Sequence, residues 1–311
     1  MSISYSAPAK VILSGEHVVV YGKPAIVSAI DLRLVFAVGE GENKRKDKNV
    51  ARIVDVVRKY LIENSHLSNF NSQIDYTIKS DIPIARGLGS SAAFSAAGTA
   101  AFLDFYTGKS HPIELINNLA YKVEKAFHKN PSGVDSTTST FGGLVYFRKE
   151  FEFLKGIYKL AFKIPKKIEE KLYLIDSGKP IETTGEMVDL VGKYYNKYPK
   201  SAEEIFNKIE KTTKRLVISL VKEDVQLFAQ QIKNNENLLE KIGIVSVSTK
   251  NLLQELSKYG FGKITGAGGK KTGSGYLLFL ADDVDGLKKY CKYKKINIIK
   301  FKQSWKGVQK T

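Results

Sequence analysis

The chain has 311 residues, of which 43% are hydrophobic, and a formal net charge of +17; this length suffices for one large domain or two ordinary ones. No run of 18 apolar residues occurs, so we expect no membrane contact, and the segment 1–10 lacks the pattern of a secretory signal. The single cysteine, Cys291, cannot form an internal disulfide, which is consistent with a cytoplasmic location.

The positive charge raises the question of a nucleic-acid partner. The lysines are scattered, with short runs at 44–48, 163–167 and 292–295, and the last 25 residues contain no acidic residue. Aromatic residues lie among the lysines of this tail, and such a tail could bind RNA. We favour a terminal helix and strand with solvated lysines and expect no nucleic-acid partner. A positive field would attract anionic substrates to a cleft in either case.

The first half of the chain mixes strands and helices. We predict strands at 11–13, 18–21, 32–38 and 76–80, a helix at 49–63, a small-residue helix from residue 90, an amphipathic helix at 112–127, a turn at 130–136 and a strand at 140–147. A charged stretch at 148–171 follows and marks a boundary between two domains, which we predict at 1–150 and 165–311.

The second half contains mainly helices. We predict strands at 171–176, 275–280 and 296–301, and helices near 183–195, 201–221, 223–241, 247–259 and 283–292. Because strands and helices do not alternate strictly, the order predicts an α+β protein.

The segment 82–102, IPIARGLGSSAAFSAAGTAAF, is the most informative part of the chain. A helix start offers unpaired N–H groups and the positive end of the helix dipole, and Gly87 and Gly89 let this backbone approach an anion closely. Ser90 and Ser91 add hydroxyls for a phosphate or its metal ion. The pattern indicates a phosphate cradle without the GxxxxGK[ST] spacing; an ordinary helix start with a serine cap is the alternative.

Charged residues elsewhere supply candidates for chemistry. Lys10 begins an apolar strand, where a lysine is expected to reach toward a pocket, and Glu16 and His17 follow in a turn. Glu124 lies on a predicted helix and Asp135 follows the next turn, so the pair could ligate Mg²⁺ and orient or deprotonate a hydroxyl. Taken alone, Glu16, His17 and each of the two later carboxylates are better explained as solvated turn or helix residues.

A second glycine-rich segment, GAGGKKTGSG at 266–275, precedes a predicted strand. Its glycines, including Gly268 and Gly269, suggest a loop whose backbone approaches a ligand. A flexible surface hairpin is the alternative interpretation of the same residues.

Four motifs occur in order along the chain: PAKVILSGEHVVVYGKPAI, PIARGLGSSAA, NPSGVDSTTSTFGG and KITGAGG. Together they resemble the motifs of the GHMP small-molecule kinases, and within this superfamily they are most similar to the mevalonate kinases. The segment DSGKPIETTGEMV at 176–188 is also similar to prokaryotic members of that family. The resemblance implies a two-lobed fold, with an N-terminal α/β domain, a C-terminal ferredoxin-like domain and a cleft between them.

The resemblance also implies an activity. It indicates ATP- and Mg²⁺-dependent phosphorylation of the primary hydroxyl of mevalonate to mevalonate 5-phosphate, in isoprenoid biosynthesis, with mevalonate and ATP as partners. A homodimer stays an open expectation. Other GHMP kinases, such as a phosphomevalonate kinase or a mevalonate 3-kinase, are the enzymatic alternatives, beside a nucleotide-binding pseudokinase and a basic RNA-binding protein.

The same resemblance assigns roles to individual residues. ATP is expected on the glycine loop, which consists of Ala85, Arg86, Gly87, Leu88, Gly89, Ser90 and Ser91. Ser91 and Glu124 are expected to hold Mg²⁺. Asp135 is expected to be the base or orienter of the acceptor hydroxyl, and Lys10 the cation that neutralises Asp135 and the γ-phosphate.

The acceptor is expected at a set of residues from all four motifs: Lys10, Glu16, His17, Asp135, Thr184, Gly268 and Gly269. Either Thr183 or Thr184 would hold the γ-phosphate. The chain departs from the family pattern where Lys270 and Lys271 interrupt a run that normally reads GAGGGG. These lysines are either an additional anion clamp or part of a longer loop, which leaves the choice of acceptor more open than the reaction type.

Overall fold

The structure is a computed structural model that describes residues 2–41, 47–65, 70, 73–127 and 131–311. Three residues of the basic run at 44–48 and the first residue of the NPSG motif, Asn130, lie outside the described residues. Within the described ranges the chain forms two antiparallel β-sheets with helices packed against them.

The first half of the chain builds the larger sheet and four helices. Its elements are β1 (Ile3–Ser14), β2 (Ala25–Glu40), α1 (Lys48–Ser65), β3 (Ile74–Ser80), α2 (Ser90–Thr107), α3 (Ile113–Phe127), α4 (Val134–Phe141), β4 (Leu144–Lys149) and β5 (Lys155–Lys159). The strands pair in the order β1-β2-β4-β5, and β3 pairs with another part of the long strand β2.

The second half builds a four-stranded sheet and its helices. Its elements are α5 (Lys166–Glu169), β6 (Leu172–Asp176), α6 (Thr184–Lys197), α7 (Pro199–Val221), α8 (Val225–Ile242), α9 (Val247–Leu256), β7 (Gly260–Ile264), β8 (Tyr276–Ala281), α10 (Val284–Tyr293), β9 (Ile298–Lys300) and β10 (Gln309–Lys310). The second sheet has the order β7-β8-β6-β9. Strand β10 instead pairs with β1, so the end of the chain returns to the first sheet.

Helix α2 is the central helix of the first half because its small residues allow close packing on the sheet. Its alanines at 92, 93, 96 and 97 are fully buried, and a side chain on Gly98 would come within 2.6 Å of Ile53 on α1. Phe36 of β2 and Phe102 of α2 meet edge to face in this core. The dense packing fixes the start of α2, where the glycine loop ends.

Two sequence-based assignments around the site are wrong. Val18–Tyr21 is a 3₁₀ helix rather than a strand; His17 and Gly22, both with positive φ, bracket it within the connection from β1 to β2. Val134–Phe141 is helix α4 rather than a turn and the start of a strand. Its run of serines and threonines obscured the helical period, and the strand begins only after Gly142 and Gly143, which also have positive φ.

Strand β7 was not predicted, because the sequence placed a glycine-rich turn directly after the helix that ends near 259. The domain boundary stays a prediction: β4 and β5 flank the expected end of the first domain, and β10 joins the first sheet. None of the described helices combines the length and apolar character that crossing a bilayer requires.

Candidate active site

Four sequence-predicted residues converge from four different elements. Lys10 of β1 forms an ion pair with Asp135 in the first turn of α4, with 3.0 Å between Lys10 Nζ and Asp135 Oδ2. Glu124 lies near the end of α3, where burial and the Asp135 carboxylate raise its pKa to about 7, while a hydrogen bond from Ser91 and the charge of Lys10 lower it. The arrangement therefore concentrates two carboxyl groups, one ammonium and one hydroxyl beside the start of α2.

The glycine loop is fixed by contacts on both sides. The backbone N–H of Lys10 donates to the carbonyl of Leu88 at 3.0 Å. Gly89, in the left-handed region with φ 76°, is the residue just before α2; a side chain there would lie 2.7 Å from Lys10 Cγ. Likewise, a side chain on Gly87 would lie 2.4 Å from the carbonyl oxygen of Thr265. Glycine is required at both positions because neighbouring chain segments occupy the space of a side chain.

The first turn of α2 leaves its N–H groups free of intrahelical partners, and the helix is 18 residues long. Ser90 and Ser91 begin the helix, Ser91 with an exposed side chain. Arg86, also on the loop, forms an ion pair with Asp176 at the end of β6, and exposed Ala85 adopts a positive φ of 56°. The loop thus presents N–H groups and hydroxyls, an arrangement suited to anion binding.

The second glycine-rich segment packs against backbone. A side chain on Gly268 would lie 2.2 Å from the carbonyl oxygen of Ile244, and one on Gly269 would lie 2.2 Å from that of Gly273. The backbone N–H groups of Lys270 and Lys271 donate to the Glu182 carboxylate at 3.3 and 3.1 Å. These glycines are explained by close backbone packing, whereas the side chains of both lysines are exposed.

The Lys10–Asp135 pair is asymmetric in its exposure. The Lys10 side chain is only 2% exposed, whereas that of Asp135 is 36% exposed. One carboxylate oxygen of Asp135 accepts from Lys10, and the other, Oδ1, is buried without a hydrogen-bond partner. Because Asp135 is the more exposed partner of the pair, its carboxylate can accept a hydrogen bond or a proton from a bound hydroxyl.

His17 lies close to this group and is neutral. Its Nε2 donates to the carbonyl of Ala267 at 3.0 Å, so Nδ1 is left as an acceptor. Burial, and to a smaller extent the charge of Lys10, lower the pKa of His17 to about 4, against the weaker raising effect of the Ala267 carbonyl. At neutral pH the imidazole can therefore accept a hydrogen bond through Nδ1.

Glu16 has a different environment. Its side chain is fully buried and forms an ion pair with Lys263, and its second oxygen accepts from Asn235 Nδ2 at 3.3 Å. Both carboxylate oxygens are thus bonded within the protein. The expected acceptor contact of Glu16 stays a prediction, and the contacts that the structure contains are structural.

The two threonines of the 176–188 segment also differ. The Thr183 side chain caps α6 and exchanges hydrogen bonds with Glu186, forming a capping box. Thr184 is the first residue of the helix and is exposed. Because the Thr183 hydroxyl is already used as the cap, Thr184 is the better candidate of the two for a ligand contact.

A cleft that the sequence did not reveal is lined by other residues than those described above. It has a volume of about 510 Å³ and lies between the 3₁₀ helix and α6; its lining includes Tyr21, Lys149 and Lys193. Lys149 Nζ lies 3.5 Å from the carbonyl oxygen of Pro131, just before α4. Lys149 belongs to the charged stretch at 148–171, and no local pattern there marks it as a binding residue.

The chain is similar in sequence and in fold to known kinases. The sequence model described as "GHMP kinases N terminal domain" matches residues 49–143. The mevalonate kinase of Archaeoglobus fulgidus is 33% identical over 280 residues, with 85% of this chain and 88% of the relative covered. That of Methanothermobacter thermautotrophicus is 31% identical over 287 residues, with 86% and 88% covered. The crystal structure of the Methanococcus jannaschii mevalonate kinase superposes with a TM-score of 0.78 at 25% identity over 98% of each chain.

The two-sheet α+β fold, the match to the GHMP N-terminal domain and the kinase relatives define an ATP-dependent small-molecule kinase of the GHMP type. Within this class, sequence identity above 30% over most of both chains shows that the chain belongs to the mevalonate kinase family. The predicted fold class, superfamily and kinase activity are thereby confirmed. The roles of the individual site residues stay predictions.

Proposed function

We propose that this protein transfers the γ-phosphate of ATP to the primary hydroxyl of mevalonate, giving mevalonate 5-phosphate. The observation that carries the proposal is the Lys10–Asp135 ion pair, in which the Lys10 side chain lies against Gly89 at the start of the glycine-loop helix. The names of the two relatives described above, both mevalonate kinases, support the choice of acceptor.

In the proposed reaction, each residue acts through charge and position. Phosphoryl transfer passes through a loose, charge-rich state, so positioned cations and N–H donors stabilise it. The backbone of the glycine loop and the first turn of α2 hold the phosphates, and Lys10 stabilises charge on the transferred group. Asp135 accepts the hydrogen bond of the acceptor hydroxyl and then its proton, because an alcohol is a weak nucleophile at neutral pH.

Mg²⁺ is proposed at Ser91 and Glu124. The donor set fits, since a hydroxyl and a carboxylate are hard oxygen ligands, and Glu124, which is 4% exposed, faces Ser91. Within the described ranges no group of three or more histidine, cysteine, aspartate or glutamate residues could hold a metal ion. The remaining ligands would therefore be phosphate oxygens and water, and the bound ion would neutralise phosphate charge.

The cleft lined by Tyr21 and Lys149 is proposed as the acceptor site. It lies between the end of the 3₁₀ helix that follows His17 and residues 188–196 of helix α6. Lys149 lines the cleft and reaches toward the loop before Asp135. Mevalonate carries a carboxylate, and an ammonium group at this position would bind it while the hydroxyl lies at Asp135.

Replacing Lys149 tests this orientation. Lys149→Met is expected to raise KM for mevalonate about 10–100-fold, since a charge-assisted hydrogen bond contributes roughly 1.5–3 kcal/mol, with KM for ATP nearly unchanged. The matched control is Lys125→Met, because Lys125 pairs with the same Glu152 carboxylate as Lys149 but does not line the cleft. Equal KM values for mevalonate in the two variants would show that Lys149 does not bind the carboxylate of mevalonate. The measurement is steady-state kinetics with each substrate varied in turn.

The function itself is tested by identifying the product. The purified protein is incubated with ATP, Mg²⁺ and, separately, mevalonate, phosphomevalonate or homoserine, and products are identified by mass spectrometry and ³¹P NMR. Mevalonate should give a primary phosphate ester, and a chelator should stop its formation. A product only from phosphomevalonate, or a tertiary ester at the 3-hydroxyl, would replace the proposed acceptor or position. Salt-sensitive oligonucleotide binding without any phosphorylated product would favour the RNA-binding alternative.

The assembly of the protein is proposed from the resemblance, and its location from the single cysteine. We expect a homodimer in the cytoplasm. Sedimentation equilibrium tests the first expectation and fractionation of cells that express the tagged protein tests the second.

A further inference from the structure

A fully buried lysine lies behind the turn that contains His17. Lys263 of β7 is 0% exposed; its Nζ forms an ion pair with Glu16 and donates to the carbonyl oxygens of Ile12 at 3.2 Å and Ile264. A lysine without solvent contact is rare and costly unless its charge is compensated. Here one carboxylate and two carbonyls compensate it, so this lysine holds together segments distant in sequence.

The contacts of Glu16 extend the connection to a third element. Asn235 of α8 donates to Glu16 Oε2, and its own carbonyl oxygen accepts from Ser14 Oγ at 2.7 Å. All three side chains are fully buried. The turn that follows β1 is thereby tied on one side to β7 and on the other to α8, both of which belong to the second half of the chain.

The backbone of this turn is held in an unfavourable conformation. His17 has φ 60° and ψ −42°, a region that residues with a side chain rarely adopt. Such a conformation persists only where surrounding contacts determine it. Two contacts do so here: the Glu16 ion pair and the hydrogen bond from His17 Nε2 to Ala267.

We infer that Lys263 is a positioning residue of this kinase, which acts through Glu16 to hold the imidazole of His17 toward the acceptor. The inference depends on the proposed function only because it assumes that the acceptor binds next to His17. The position of the imidazole itself is independent of which alcohol is phosphorylated, so the two can be tested separately.

The first test is an NMR titration of His17 without substrate. Its resonance is identified among the four histidines by its loss in His17→Asn. In the parent protein we expect a pKa near 4. In Lys263→Met the turn is released, the imidazole gains solvent, and the pKa should rise by about one unit or more toward its ordinary value. An unchanged titration in folded Lys263→Met would overturn the inference.

A double variant separates positioning from stability. A single substitution leaves an unpaired buried charge, whereas Glu16→Gln with Lys263→Met removes both charges and is expected to stay folded. In the double variant the pKa of His17 should be raised as in Lys263→Met. Its KM for the acceptor should be about tenfold above that of the parent, and its KM for ATP should be within twofold of the parent value. A double variant with the titration and KM of the parent would show that the pair serves stability alone.

The matched control is Lys23→Met. Lys23 follows the same 3₁₀ helix, but its ion pairs are with Glu203 and Glu210 rather than with Glu16. It should leave both the His17 titration and the acceptor KM as in the parent. If it shifts them to the same extent as Lys263→Met, the effect is general loosening of the turn and the inference fails. If no acceptor is phosphorylated by the parent, the titration still decides the inference, while the proposed function fails independently.

Discussion

Asp135→Asn should lower kcat by about 10²–10⁴, the range expected for loss of a general base. The amide keeps the shape of the carboxylate but cannot take a proton from the acceptor hydroxyl. It also leaves the Lys10 ammonium without its anionic partner at 3.0 Å. Because Asp135 lies on α4 and the glycine loop on a different element, ATP binding should survive. The measurements are coupled ADP release for kcat and calorimetry for ATP affinity.

The control for this variant is Asp31→Asn, which breaks an exposed ion pair with Lys302. It should have the kcat of the parent, since exposed ion pairs contribute little to stability. If Asp135→Asn turns over within tenfold of the parent, Asp135 does not accept the proton. A joint loss of kcat and ATP binding would instead indicate a disturbed glycine loop.

Much of the fold was predictable because its signals are local. The amphipathic spacing of Ile116, Leu119 and Val123 predicted α3, and most of the helix predicted at 247–259 is α9. The failures lie where tertiary contacts override local preference. The valines at 18–20 have high β propensity, yet the chain must turn between two paired strands, and they form a 3₁₀ helix.

The candidate site was predictable as a set of residues but not as a set of contacts. The motifs named Lys10, Ser91, Glu124 and Asp135, and the structure brings them together. Sequence alone could not show that the Glu16 carboxylate forms an ion pair with Lys263, since the two residues are 247 positions apart. A lysine within the buried strand β7 was the one available signal, because an unpaired lysine is not tolerated there.

Lys10→Met should lower kcat by about 10²–10³, comparable to the loss of one stabilising donor in other enzymes. Methionine has similar length and suits the buried position of the lysine stem against Gly89. The missing charge, however, leaves the Asp135 and Glu124 carboxyls facing each other. Because Lys10 lowers the pKa of Glu124, its loss raises that pKa above about 7.

The sign of the pH dependence follows from this shift. A carboxyl with a raised pKa stays protonated to higher pH, and a protonated Glu124 is a poor Mg²⁺ ligand. The residual kcat of Lys10→Met should therefore increase from pH 7 to 9 more steeply than that of the parent or of Lys23→Met, whose lysine has its ion pairs away from the site. A parallel pH profile would show that Lys10 does not control the ionisation of the two carboxyls, and a kcat within tenfold of the parent would exclude its role in transfer.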